Sequence, residues 1–376
     1  MSRALRVAFV VGIGLFLTAM SVLAHHVVPI YDNNKKISLD GVITAIHWTN
    51  PHIWYEIEVT DAAGKKTMWN YTVGEPNPLH RRGYVKGDLK VGARIVLQNV
   101  NPAADGSNWV AGGTVAGNGG PQIFNGNGSH GYAAKSNAAP PTDPKIVANP
   151  RDFSGLWGQG TGNTDLTQSL MPGEEIVLTA YGAERYKKVD LKNAPVNKCL
   201  PYGPNRAGIS IAPSMFVQSS SALVMLYEPQ IDYRVIYLDG RSNPSDAAQF
   251  PTWFGHSTGK WDGDTLVVET VGIDDRTWLD SYGLEHSKDM KMTERFKKTD
   301  PNTISVTTTI DDPVFYAKPW TYSYTKRRGE DPEIALGNSG PIIYLMPTYC
   351  EEYPVMEHAI STPARHRNPP KMTSSN

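Results

Sequence analysis

Apolar and polar positions alternate with a period of two through most of the chain, the spacing of half-buried strands. Ile37 to Ile46 reads as a strand with a turn signal at Asp40-Gly41. Ile53-Trp54-Tyr55-Glu56-Ile57-Glu58-Val59 alternates along its length, and Asp61-Ala62-Ala63-Gly64 turns it back into Thr67 to Val73. Pro76 to Gly83 reads as a short helical or irregular crossing, followed by strands at Val91 to Leu97 and Trp109 to Val115. Five short strands and one crossing predict a small barrel of the OB type.

A second domain begins near Asp152-Phe153-Ser154-Gly155-Leu156-Trp157. Leu178 to Lys188 is its best helix candidate, with Thr179 placed to cap it. Strand patterns follow at Met215–Gln218, Ala222–Tyr227, Tyr233–Leu238, Gly255–Trp261, Thr265–Val271, Met290–Lys297, Ile304–Ile310 and Trp320–Lys326. Turns stand at Asp239-Gly240, Asp262-Gly263-Asp264 and Asp300-Pro301-Asn302. Such a series predicts a larger up-and-down antiparallel barrel of lipocalin-like type, with room for one small ligand. The whole is therefore all-β. The expected organisation is a signal peptide (1–24), a small OB-like domain (25–116), a Gly/Asn/Pro-rich linker (117–150), a lipocalin-like barrel (151–358) and a disordered tail (359–376).

The first 24 residues change the setting. Arg3 and Arg6 precede an apolar run, Val7 to Leu17, and Val22-Leu23-Ala24 fits a cleavage site. The run is shorter than the roughly 20 residues a spanning helix needs, which favours a cleaved leader over a retained anchor. No later run reaches spanning length, so no transmembrane segment is expected in the mature chain. Export to the periplasm or the medium is the expectation. The chain carries 36 Lys+Arg against 37 Asp+Glu. This near balance, without a basic stripe, argues against a nucleic-acid partner. In an oxidising compartment the two cysteines, Cys199 and Cys350, are most simply a disulfide, on the order of 4 kcal/mol by loop entropy. Two free thiols are the alternative.

Two clusters carry candidate chemistry. Cleavage after Ala24 would leave His25 with a free amine beside its imidazole, a chelating pair for copper or zinc. His47 and His52 stand on the following interstrand loop as further ligands; the bland reading is that these rings satisfy loop carbonyls. The second cluster runs from Gly255-His256-Ser257 through Asp280 and His286 to Thr293-Glu294-Arg295-Phe296. In it His256 and His286 are acid–base candidates, Asp280 and Glu294 their carboxylate partners, and Arg295 an anion clamp. Tyr233, Arg234, Tyr237 and Trp253 are candidates to line the same pocket. A purely structural cluster, with Glu294 and Arg295 as an ordinary rim ion pair, is the competing account.

The segments Ala24-His25-His26, Gly41-Val42, Trp48-Thr49-Asn50-Pro51-His52, Glu75-Pro76-Asn77-Pro78-Leu79 and Arg82-Gly83 resemble a small exported bacterial domain of unknown function. Cys199-Leu200-Pro201, Asp239-Gly240-Arg241, Gly255-His256-Ser257, Trp261 to Thr270, His286-Ser287 and Thr293-Glu294-Arg295-Phe296 resemble a second uncharacterised group, lipocalin-like in pattern. Neither resemblance implies a reaction. The leading expectation is an exported protein that binds a small hydrophobic or aromatic molecule in the larger barrel, with acid–base chemistry of lyase, isomerase or hydrolase type and no required cofactor. The alternatives are a periplasmic copper or zinc protein and a non-catalytic envelope interaction protein.

Overall fold

The structure is a computed structural model that describes residues 31–32, 34–48, 53–73, 76–77, 87–104, 106–117, 122–125, 143–210, 212–228, 232–329 and 368–372. The expected signal peptide, His25, His52 and Cys350 lie outside the described residues.

The first unit is a five-stranded barrel. Its strands are β1 (Ile37–His47), β2 (Trp54–Thr60), β3 (Lys66–Thr72), β4 (Arg94–Pro102) and β5 (Trp109–Ala111). They close in the order β1-β2-β3-β5-β4, with β4 returning to β1. The β3–β5 pair is parallel and the others are antiparallel. β1 is long enough to serve two neighbours, and irregularities in its register between Ile37 and Leu39 and between Ile43 and Ala45 let it bend between them. Gly41 sits where β1 crosses closest to β2: a Cβ there would lie 2.6 Å from the Glu58 carbonyl oxygen. Alternate residues fill the interior, among them Ile43, Tyr55, Ile57, Tyr71, Ile95 and Leu97. Two strands extend the sheet beyond β4: β6 (Thr114–Gly117) and β7 (Gln122–Asn125). β7 lies inside the stretch expected to be linker, as does helix α1 (Pro144–Ala148). Neither has an apolar run long enough to announce it.

The second unit is a closed nine-stranded barrel, built from β8 (Gly155–Gln159), β10 (Ser214–Gln218), β11 (Ala222–Tyr227), β12 (Tyr233–Tyr237), β13 (His256–Asp262), β14 (Thr265–Val271), β15 (Lys291–Asp300), β16 (Thr303–Asp311) and β17 (Trp320–Arg328). Eight of these match the expected strands. β8 was not anticipated as a strand, yet it closes the ring by pairing with both β10 and β17. The expectation of uninterrupted antiparallel order needs one correction. β12 and β13 are parallel, because the chain between them crosses over rather than turning back.

Both barrel ends are covered by the chain itself. At one end Phe153 stacks with Trp261 and packs against Phe296. Lys298 on β15 donates to the carbonyls of Ile146 and Asn149, which ties α1 to this end. At the other end the β8–β10 connection folds over the mouth. It carries β9 (Val177–Leu178), helix α2 (Ala180–Lys187), capped by Thr179 as expected, and helix α3 (Gly203–Gly208). Tyr322 donates to the Asn205 side chain from below, and Asn205 donates to the Leu279 carbonyl. The tail beyond residue 358 is not wholly without structure. β18 (Lys371–Met372) pairs with β9, and Lys371 is ion-paired to Glu175. Two residues of pairing leave no periodic signal, so the sequence reads as plain tail. Among the described residues, no helix is long and apolar enough to cross a membrane.

Candidate functional site

Alternation along β12 turns Arg234 and Ile236 into the barrel and leaves Tyr233 and Tyr237 outside. Pairing register then aligns a polar row around the interior. Ser257 pairs with Thr270, Val268 with Glu294, Glu294 with Thr308 and Thr308 with Tyr322. The Arg234 guanidinium takes up three of these groups. Its Nη2 donates to Glu294 Oε2 at 2.5 Å and to Thr270 Oγ1 at 2.6 Å, and its Nε donates to Ser257 Oγ at 3.1 Å. The Arg234 and Glu294 side chains are 1% and 2% exposed. Burial opposes the guanidinium charge, and the adjacent Glu294 carboxylate restores it. Tyr227, hydrogen-bonded nearby to Met225 Sδ, is pushed up to about 12 by burial, so it remains a neutral phenol. Phe216, Phe254, Tyr322 and Tyr324 pack around this network.

A second buried polar group stands on β17. β17 reads Trp320-Thr321-Tyr322-Ser323-Tyr324-Thr325-Lys326-Arg327-Arg328, and its even-numbered residues are all buried. Lys326 therefore faces inward, between Ile304 of β16 and Gln159 of β8. It is 2% exposed, and its Nζ has no hydrogen-bond partner. Burial alone pulls it down to about 8. Arg328, one step along, is held by the Ser154 and Pro301 carbonyls and by the Trp157 ring, 4.4 Å away. Sequence reasoning passed over Lys326, although the period-two run from Trp320 marks its direction.

The expected acid–base set does not assemble. His256 lies on the outer face of β13, half-buried, with its ring edge-on to Phe250. Arg295 also points outward and pairs with Asp262 at 2.7 Å, not with its neighbour Glu294. Adjacent strand residues face opposite sides, which is why the Glu294–Arg295 rim pair is replaced by two separate pairs. His286 is buried in the β14–β15 connection. Its Nδ1 faces the Ser287 carbonyl at 2.9 Å, so it donates there, and Nε2 accepts from Thr277 Oγ1 at 2.8 Å. Burial holds this imidazole below its ordinary value. Asp280, fully buried, accepts from the backbone N–H of Tyr282 and Leu284 and fixes that loop. Of the expected lining residues only Arg234 is inside. Tyr233 and Tyr237 are exposed, the latter under Arg241 at 3.8 Å, and Trp253 is half-buried under Arg276 at 4.2 Å.

The Gly255-His256-Ser257 motif now has a physical reading. Gly255 has φ +65°, and a Cβ there would sit 2.7 Å from Ile273 Cγ1. Its close approach sets His256 outside and delivers the Ser257 hydroxyl to Arg234. Along β14 and β15 lies a groove of about 440 Å3 lined by Asn243, Ala247, Glu269, Lys288, Lys291 and Thr293, among others. In it Asn243 donates to the Glu269 carbonyl, while its Oδ1 is buried without a partner.

In the small barrel His47 stacks on Trp54 at 4.1 Å and meets Glu56 Oε1 at 2.8 Å. Among the described residues no three His, Cys, Asp or Glu side chains converge as a metal site. Cys199 ends a 3-10 turn in a left-handed conformation, φ 55°. The two units touch where Asn77, in the Glu75-Pro76-Asn77-Pro78-Leu79 motif, donates to the buried Glu228 carboxylate at 3.2 Å.

No curated protein and no solved structure matches the chain. Residues 14–112 match the model of a family of unknown function (DUF6152), which encloses the five-stranded barrel up to the end of β5.

Proposed function

We propose that this is an exported binding protein whose nine-stranded barrel takes a small, largely apolar or aromatic molecule against the polar network at its centre. The observation that carries the reading is the Arg234–Glu294 pair, sealed from solvent among aromatic side chains. A buried ion pair rarely stabilises a fold more than apolar side chains of the same volume would. Its presence in a largely apolar interior therefore calls for a role besides stability, and orienting a ligand is one such role. Nine strands also make a wider barrel than the eight that suffice to hold one small ligand. Among the described residues the expected acid and base are not paired: His256 and Arg295 face outward, and His286 and Asp280 are committed to loop contacts. Binding, rather than turnover, is the reading it favours. Export rests on Arg3, Arg6, the apolar run to Leu17 and Val22-Leu23-Ala24.

Fluorescence titration of the processed protein with two neutral probes, 2-naphthamide and N-phenyl-1-naphthylamine, tests this reading. Saturable binding is expected, lost in a folded Arg234→Met/Glu294→Leu double variant. The proposal fails if the wild-type protein binds neither probe, or if the double variant binds them equally well.

A further inference from the structure

We infer that the ligand of the large barrel carries an acidic group, a carboxylate or its equivalent, which the Lys326 ammonium receives. This inference rests on the binding role proposed above and adds the ligand's chemical class.

The charges on the inward face of the barrel do not balance. Among the described residues, its strands bury three cationic side chains, Arg234, Lys326 and Arg328, and one carboxylate, Glu294. Glu294 is committed to Arg234. The guanidinium of Arg328 lies against protein carbonyls and the Trp157 ring. Lys326 has neither kind of support. Its cross-strand neighbours are Ile304 and Gln159, and its same-face neighbours along β17 are Tyr324 and Arg328. None of the four is an anion, and the Gln159 amide nitrogen is turned to the Ile209 carbonyl. Among the described residues no carboxylate is paired with its ammonium, and burial pulls its titration down.

A buried ammonium without an acceptor is costly. It is relieved by an acceptor that arrives from outside the fold. An acid does this best, because any acceptor can take the ammonium's hydrogen bond but a carboxylate also brings the missing counter-charge, whose attraction is stronger away from water than in it. The ring system of such a ligand would meet the Trp157, Phe216 and Tyr324 surfaces that already line this face. The ligand class is thus a small aromatic or aliphatic acid, oriented with its acidic end toward Lys326 on β17.

The test compares matched acids and amides: 2-naphthoate against 2-naphthamide, and octanoate against octanamide, at pH 7 by isothermal titration. We expect each acid to bind at least tenfold more tightly than its amide. Lys326→Met should remove that preference by weakening the acid, with the amide losing far less affinity than the acid does. This variant deletes an unsatisfied buried charge, so it is expected to fold; Lys326→Gln is the second variant, with circular dichroism and melting as controls. Equal affinity for acid and amide in the wild-type protein overturns the inference and leaves the binding role standing. So does an acid preference that survives in both variants, as when the acid sits in the groove along β14 and β15, beside Lys288 and Lys291. Binding of neither acid nor amide overturns the binding role itself.

Discussion

Removing one partner of the Arg234–Glu294 pair should be far more damaging than removing both. Glu294→Ala leaves a guanidinium that is 1% exposed with two hydroxyl acceptors, Ser257 and Thr270, and no counter-charge. An uncompensated buried charge of this kind costs about 3–5 kcal/mol. For a domain of this size each kcal/mol lowers the melting temperature by roughly 2–4 °C, so a fall of roughly 6–20 °C is expected. Arg234→Met/Glu294→Leu replaces both charged groups with apolar side chains of similar volume. Its stability should lie within about 1–2 kcal/mol of wild type, on either side. Urea unfolding followed by tryptophan fluorescence supplies all four corners of the cycle, since Trp157, Trp261 and Trp320 lie in the barrel core or pack against it. A Glu294→Ala cost below about 1 kcal/mol, or a double variant that loses the sum of the two single losses, would refute the reasoning that the pair is not there for stability.

Further outcomes follow from single side chains. Lys326 has a folded-state value of about 8 against an ordinary 10.5, so between these the unfolded chain holds more protons and stability rises with pH. Relative to Lys326→Met, the wild-type protein should gain on the order of 3 kcal/mol between about pH 8 and 10.5, readable as the difference of their melting profiles. His286 is lowered by burial, so its contribution is present above its unfolded value and is lost as pH falls through the depressed one. His286→Gln should therefore flatten the acid limb of the stability profile. Gly255→Ala forces a left-handed backbone and a contact at 2.7 Å, and should cost roughly 2–4 kcal/mol by chemical denaturation. Thr179→Ala removes the cap on Gly182 N–H and should cost about 1 kcal/mol in the same assay.

Most of the architecture is legible in period-two alternation. Ile53 to Val59 announces β2, and Trp320 to Arg328 announces both a strand and the direction of each of its side chains. Three features escape that logic. β8 is five residues with two glycines, Gly155 and Gly158, and pairs with strands distant in sequence, so its identity depends on tertiary closure. The β12–β13 pair is parallel because of a crossover whose direction no local pattern encodes. β18 owes its two residues to a partner almost 200 positions away. In the candidate site, the pattern shows that His256 and Ser257 face opposite ways but not which one is inside. That choice falls to Ser257, since Arg234 offers its hydroxyl a partner in the interior. His256, Arg295, Tyr233 and Tyr237 lie close to Arg234 and Glu294 in sequence, but the barrel wall separates them.

The location of the ligand is the central claim, and the Arg234 Nε–H resonance in 15N spectra reports on it directly. Arg234→Met assigns that signal by its disappearance. Saturating 2-naphthamide is predicted to shift the Arg234 resonance while those of the exposed Arg241, Arg276 and Arg295 stay in place. Bound probe with an unmoved Arg234 resonance would put the ligand outside the barrel and contradict the account.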